Sequence, residues 1–263
     1  MAGYFPTLRW GILGCGLISS WFVSDIVLAR PSKPTHHLVQ AIGSSSLAKA
    51  EKFKAAHSVW TRFFPITSAL QKLLHQDKVI GAVSRVFVDF GLNMPIASLP
   101  PTARTADPAL GAGALLDIGI YSLTWAALIL DHHPDNAYQT PKIVSSMSTV
   151  GGADEMTSMI LNYEALHAQA ICTASMCFKT REEFCRVEGT GGSTGEEERR
   201  VDFETVGWGF WYEQDAVAEA LAAGRKECGV MPVEETVRMM RVMDGVREAN
   251  GLRYKQDEKV GLK

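Results

Sequence analysis

A glycine pair and a carboxylate–phenol pair are the residues of this chain whose types and spacing could do chemistry. Gly14 and Gly16 end the run that follows Arg9, apolar from Trp10 to Leu13, and open a second one at Leu17 and Ile18. A strand that breaks into a glycine turn and feeds a helix gathers free backbone N–H groups and a positive helix end at one place, which suits a pyrophosphate. On this reading Gly14, Gly16, Leu17 and Ile18 hold a dinucleotide, and Ser19 is small enough to stand where a third glycine commonly packs. At the end of the second strand an NAD site usually carries a carboxylate for the ribose hydroxyls. Here Ser44 and Ser45 stand there, with Lys49 one helical turn later. Hydroxyl and ammonium donors suit a 2′-phosphate, so the pattern predicts NADP. A glycine pair also fits an ordinary tight turn, and the serines a solvated one. Asp117 and Tyr121, spaced i and i+4, share one face of an otherwise apolar helix. Burying unpaired polar groups is costly, so this pair either satisfies neighbouring backbone or serves a site.

Elements must exist to position these residues. With 263 residues, 46% apolar and 21% charged, the chain can build one large core or two ordinary ones. A net charge of −3 and a pI near 6.2 argue against a nucleic-acid partner. No window is apolar enough to span a membrane, and no secretory leader is read at the N-terminus. Five cysteines without a Cys-x-x-Cys pair predict free thiols and a cytoplasmic setting. Adjacent His36-His37 and His132-His133 do not converge on a metal as an i, i+4 pair would; they are expected at the surface, and no metal is expected.

Periodicity places a helix over 17–29, a second strand over 37–42 and, capped by Ser46, a helix over 47–57. A doubly wound domain then needs further parallel strands, each with its crossover roughly 30 residues long. None appears before Trp60. Instead a helix over 66–76, a strand over 83–92, a proline-rich loop and the apolar helix bearing Asp117 and Tyr121 follow. Strands are expected over 143–150, 156–163, 168–175 and 183–188, with closing helices over 210–223 and 233–250. The predicted class is α/β: an incomplete Rossmann-type domain over 1–59, then an α+β domain over 60–263 with an open, mainly antiparallel sheet.

Five segments taken together resemble one family: R-W-G-I-L-G-C-G-L-I-S, W-T-R-F-F-P, G-A-G-A-L-L-D-I-G-I-Y, G-A-D-E and M-P-V-E-E-T. It is the glucose–fructose oxidoreductase, inositol dehydrogenase and rhizopine-catabolism family, in the branch of NADP-dependent D-xylose 1-dehydrogenases and dimeric dihydrodiol dehydrogenases. The resemblance implies hydride transfer from the anomeric carbon of D-xylose to NADP, giving the lactone, or oxidation of a trans-dihydrodiol. It implies that Tyr121 takes part in proton transfer and that Asp117 positions the substrate. It places Trp60 and Arg62 in the cofactor and substrate cleft; without it they read as a core indole and a surface guanidinium. It further implies a homodimer through the C-terminal sheet. Members of the family carry a Glu-Lys-Pro segment, whose lysine serves proton transfer, in the stretch that here runs from His57 to Trp60. Its absence predicts an internal truncation of about 60 residues, two βα units, and sets two alternatives beside the active dehydrogenase: a catalytically impaired chain, or an incomplete or exon-skipped form of a normal enzyme.

Overall fold

The computed structural model describes residues 7–13, 17–28, 30, 35–43, 62–136, 139–181, 184–193 and 207–259. Two compact units form, one of Met1–Ala69 with Arg200–Glu235 and one of Leu70–Arg199 with Thr236–Lys263. The sequence reading draws one boundary after residue 59; in the structure, residues 200–235 join the N-terminal segment.

In the first unit, β1 (Leu8–Leu13) pairs in parallel with β2 (His37–Gly43), joined through α1 (Leu17–Val27). The helix α4 (Trp211–Ala222) is tied to α1 by buried polar contacts. Asp25, 1% exposed, accepts the N–H groups of Phe210 at 2.7 Å and Trp208 at 3.2 Å. These bonds satisfy donors at the start of α4 that lack an intrahelical partner. Gly207, with φ of +68°, lets the chain pass so close that a Cβ would lie 2.5 Å from the Asp25 carboxylate. Arg30 grips Asp215 with both terminal nitrogens, at 3.0 and 3.1 Å, and lies 4.1 Å over the Trp211 ring. His37 joins the same carboxylate through Nε2 at 3.1 Å, while its Nδ1 accepts from the Trp10 indole at 3.1 Å. That indole bond assigns the neutral tautomer with the proton on Nε2. The His37 side chain is wholly buried, against the expected surface position, because Asp215 arrives from far along the chain to receive its proton.

The second unit is a six-stranded sheet in the order β4-β5-β6-β3-β7-β8. Its strands are β3 (Val83–Gly91), β4 (Lys142–Val150), β5 (Ala153–Tyr163), β6 (Ala168–Ser175), β7 (Cys185–Gly189) and β8 (Gly192–Ser193). Every pair is antiparallel except β3 with β6. In register, Val187, Val86, Ala170, Leu161 and Ile143 make one lateral row on the helix-covered face. Arg186, Phe87, Ile171, Ile160 and Val144 make the neighbouring row on the opposite face. Helices α2 (Pro65–Gln71), α3 (Ile120–Ala126), α5 (Val233–Ala249) and α6 (Lys255–Lys259) are the other α-helices among the described residues. Wider π-helical turns precede and follow α3, over Leu115–Gly119 and Ala127–Asp131, so the chain is helical without a break across all three spans. Leu115, Leu123, Ile129 and Leu130 from this rod and Met239, Met243 and Val246 from α5 pack on Val86, Met159 and Cys172 of the sheet. Each fully buried aliphatic side chain contributes about 1.5–3 kcal/mol, so this core holds the rod in place. No helix among the described residues is long and apolar enough to cross a membrane.

Candidate functional site

The rod of the second unit delivers Asp117 and Tyr121, and its start is unusually well anchored. Asp154, from β5, is 0% exposed and accepts the Leu115 N–H at 2.7 Å and the Thr157 hydroxyl at 2.7 Å. It caps the rod from a neighbouring strand, as a cap residue does from within the helix's own sequence. Burial pushes the Asp154 carboxyl up; the bonds from Thr157 and Leu115 and the charge of Arg247 pull it back only partly. Gly113 lies in the left-handed region at φ of +129°, and a Cβ there would sit 2.0 Å from Asp154 Oδ1. One residue earlier, the Ala112 carbonyl accepts the Tyr254 hydroxyl at 2.6 Å. These contacts bring the backbone at 112–115 against β5.

One turn later Asp117 meets Arg104, whose Nη1 lies 2.7 Å from Oδ1. Arg104 comes from the proline-rich loop and keeps 68% of its side chain in solvent, whereas Asp117 keeps 19%. Tyr121 packs its ring on Phe90 of β3, centroids 4.9 Å apart, and both rest on the smaller core cluster of the second unit. Burial raises the Tyr121 phenol above its ordinary range, the Asp117 charge raises it further, and the Arg104 charge opposes both. At neutral pH this group is therefore a phenol, able to donate a proton, beside a carboxylate paired with a cation. Spacing pointed to Asp117 and Tyr121. Arg104 was missed, since a lone arginine among prolines, threonines and alanines carries no periodic signal.

The remaining site residues read from the sequence belong to the first unit. Gly14, Gly16, Ser44, Ser45, Lys49 and Trp60 lie outside the described residues. Leu17 and Ile18 open α1, with the Ile18 side chain 45% exposed. No acidic residue stands in the first turn of α1, so no carboxylate competes at its positive end. Parallel β1 and β2 with α1 between them place that helix start where this class of sheet receives a pyrophosphate. Among the described residues, the start of α1 fits such a group. Arg62 is neither a surface residue nor free for a phosphate: its Nη2 lies 2.7 Å from Glu235 Oε1 and its Nε donates to the Val230 carbonyl at 3.3 Å, and the residue is 8% exposed.

Fold and site thus define a class, a Rossmann-type strand–helix–strand unit combined with an open, mainly antiparallel sheet whose helical rod presents a phenol and a carboxylate. Residues 69–194, which hold the G-A-G-A-L-L-D-I-G-I-Y and G-A-D-E motifs, match the family model described as the GFO/IDH/MocA C-terminal domain. The chain is 27% identical over 244 residues to the D-xylose 1-dehydrogenase (NADP(+)) of Hypocrea jecorina, covering 79% of this chain and 62% of that protein. It is 28% identical over 228 residues to the trans-1,2-dihydrobenzene-1,2-diol dehydrogenase of Bos taurus, covering 76% of this chain and 63% of that one. The chain therefore spans just under two thirds of the length of these two relatives. A 3-ketoreductase of Actinomadura kijaniata, solved with NADP and TDP-benzene, superposes with a TM-score of 0.66 at 15% identity, covering 92% of this chain and 97% of that one. That likeness is one of fold.

Proposed function

We propose that this chain is an NADP-dependent dehydrogenase that takes a hydride from the anomeric carbon of D-xylose and releases D-xylono-1,5-lactone. The observation that carries the reading is the Arg104–Asp117–Tyr121 cluster on the rod of a GFO/IDH/MocA C-terminal domain. The name of the Hypocrea jecorina relative supports both the sugar and the cofactor. When bound, the nicotinamide supplies the hydride acceptor. Tyr121 then exchanges a proton with the sugar hydroxyl at C1, and Asp117 accepts a hydrogen bond from a neighbouring hydroxyl and fixes the ring. In the oxidation direction the C1 hydroxyl loses its proton as the hydride leaves, and a carbonyl forms. Gly14, Gly16, Leu17 and Ile18 hold the pyrophosphate, Ser44, Ser45 and Lys49 the 2′-phosphate, and Trp60 a face of the sugar. We assign no cofactor contact to Arg62, whose guanidinium is spent on Glu235. The half-exposed row of Val144, Ile160, Ile171 and Phe87 is the surface for a second copy of the chain. The bovine relative favours a trans-dihydrodiol as the alternative substrate.

A second reading, a chain that binds cofactor but turns over poorly, has its own support. The chain spans 62% of the length of its xylose dehydrogenase relative. Among the described residues the charges acting on Tyr121 are those of Asp117 and Arg104, with no lysine. The test is a titration of the purified chain with NADPH, followed by cofactor fluorescence, and then NADPH formation with D-xylose. Saturable binding and xylose-dependent turnover support the dehydrogenase; binding without turnover selects the impaired reading. No fluorescence change up to millimolar NADPH overturns both.

A further inference from the structure

We propose that Arg104 is a positioning residue of this site, a fixed cation that orients Asp117 and offsets its charge at the Tyr121 hydroxyl. The inference rests on the reading of Tyr121 as the proton-transfer group. Its ground is the loop that carries Arg104. Ala103 packs on the smaller core cluster of the second unit, and Thr105 and Ala106 are buried at 8% exposure each. The Ala103 carbonyl accepts the N–H groups of Ala106 at 2.9 Å and Asp107 at 2.8 Å, and the Asp107 side chain caps Ala109 at 2.9 Å. Upstream, the Ile96 N–H is held by Glu155 Oε1 at 3.1 Å. The backbone on either side of Arg104 is thus tied down, while its side chain reaches outward to Asp117.

Stability does not account for this arrangement. An ion pair with one partner largely in solvent contributes between nothing and about 1 kcal/mol. The chemistry gives it a use. Oxidation of an alcohol asks the tyrosine to receive a proton, so the phenolate must be reachable. Burial and the neighbouring Asp117 both oppose that form. A guanidinium 2.7 Å from Asp117 opposes the carboxylate's field at the phenol and leaves its second oxygen as an acceptor for substrate. Arginine suits the task because it stays charged at every working pH. Among the described residues, Tyr121 faces Asp117 from its own rod, Arg104 from the loop and the uncharged Phe90 ring from β3.

The test uses the full chain with 3-fluorotyrosine at its tyrosines, whose phenols ionise at lower pH, so that the titration is complete before alkaline unfolding. The Tyr121 signal in the fluorine NMR spectrum is identified by its loss in Tyr121→Phe. Replacing the cation in Arg104→Gln raises the pH at which Tyr121 ionises and so leaves less phenolate at a given pH. Arg104→Lys restores part of that loss, which a merely structural role for the side chain would not do. Identical Tyr121 titrations in the wild type and Arg104→Gln overturn the proposal, as does a Lys variant no better than Gln. The readout needs neither cofactor nor sugar. A chain that fails to bind NADPH but shows the Arg104 shift therefore refutes the dehydrogenase reading alone.

Discussion

Asp154→Ala tests how the site rod is held. The substitution removes the acceptor of the Leu115 N–H, at a residue 0% exposed, and of the Thr157 hydroxyl, at a residue 1% exposed. A buried donor left without a partner costs about 1–3 kcal/mol, and two of them set an upper bound near twice that. Against this stands the relief of no longer burying a carboxylate whose ionised form the surroundings disfavour. The net expectation is a loss of about 2–4 kcal/mol, or roughly 4–16 °C in melting temperature. Urea unfolding of the second unit, followed by circular dichroism, reads it. Asp154→Asn keeps a carbonyl acceptor for Leu115 and recovers most of the loss. The pH dependence has a definite sign. The folded-state pKa of Asp154 is raised, so the stability tied to its protonated form is present below the unfolded carboxylate range and is lost as pH rises through the folded value. The wild type therefore loses stability relative to Asp154→Asn as pH rises from acid toward neutral. Gly113→Ala, whose Cβ would meet Asp154 Oδ1 at 2.0 Å, is strongly destabilising in the wild type and less so beside Asp154→Ala; the residual cost is that of the left-handed φ and of the Asp154 backbone nitrogen at 3.0 Å. An Ala variant within 0.5 kcal/mol of the wild type, on the order of the spread for neutral surface changes, refutes the capping argument.

Two further outcomes concern other parts of the chain. Asp215→Asn leaves the buried Arg30 guanidinium with a neutral partner and weakens its hold on His37; we expect a cost of about 3 kcal/mol. Amide hydrogen exchange should then rise in α1 and α4 and stay unchanged in β5 and β6, whereas unchanged protection of α1 would show that the pair does not hold them. Ile160→Lys places a charge in the centre of the half-exposed row on the sheet. If that face seats a second copy, sedimentation shifts from dimer to monomer at unchanged circular dichroism; a dimer that persists locates the contact elsewhere.

Much of the second unit is legible in the amino-acid order. Alternation of apolar and polar residues marks β4, β5 and β6 to within three residues at their starts, because a half-buried strand shows one face to a core and one to solvent. The same local logic marks the closing helices and the rod with Asp117 and Tyr121. The glycine-punctuated apolar order of residues 9–42 announces the parallel pair of the first unit, since β1, α1 and β2 follow one another in sequence.

The order of the strands is another matter. β3 comes first along the second unit's chain yet lies between β6 and β7, parallel to one and antiparallel to the other, and alternation is indifferent to which neighbour supplies the hydrogen bonds. The charged partners of the site behave likewise. Arg104 reaches Asp117 from a loop without periodicity, and Asp154 caps a helix from a strand later in the chain. Arg62 turns inward to Glu235 across 173 residues, and His37 is buried by an aspartate 178 residues away. Local periodicity records which side of an element faces the core. Which distant charge meets a buried group depends on the packing of whole elements, and there only the tertiary structure decides.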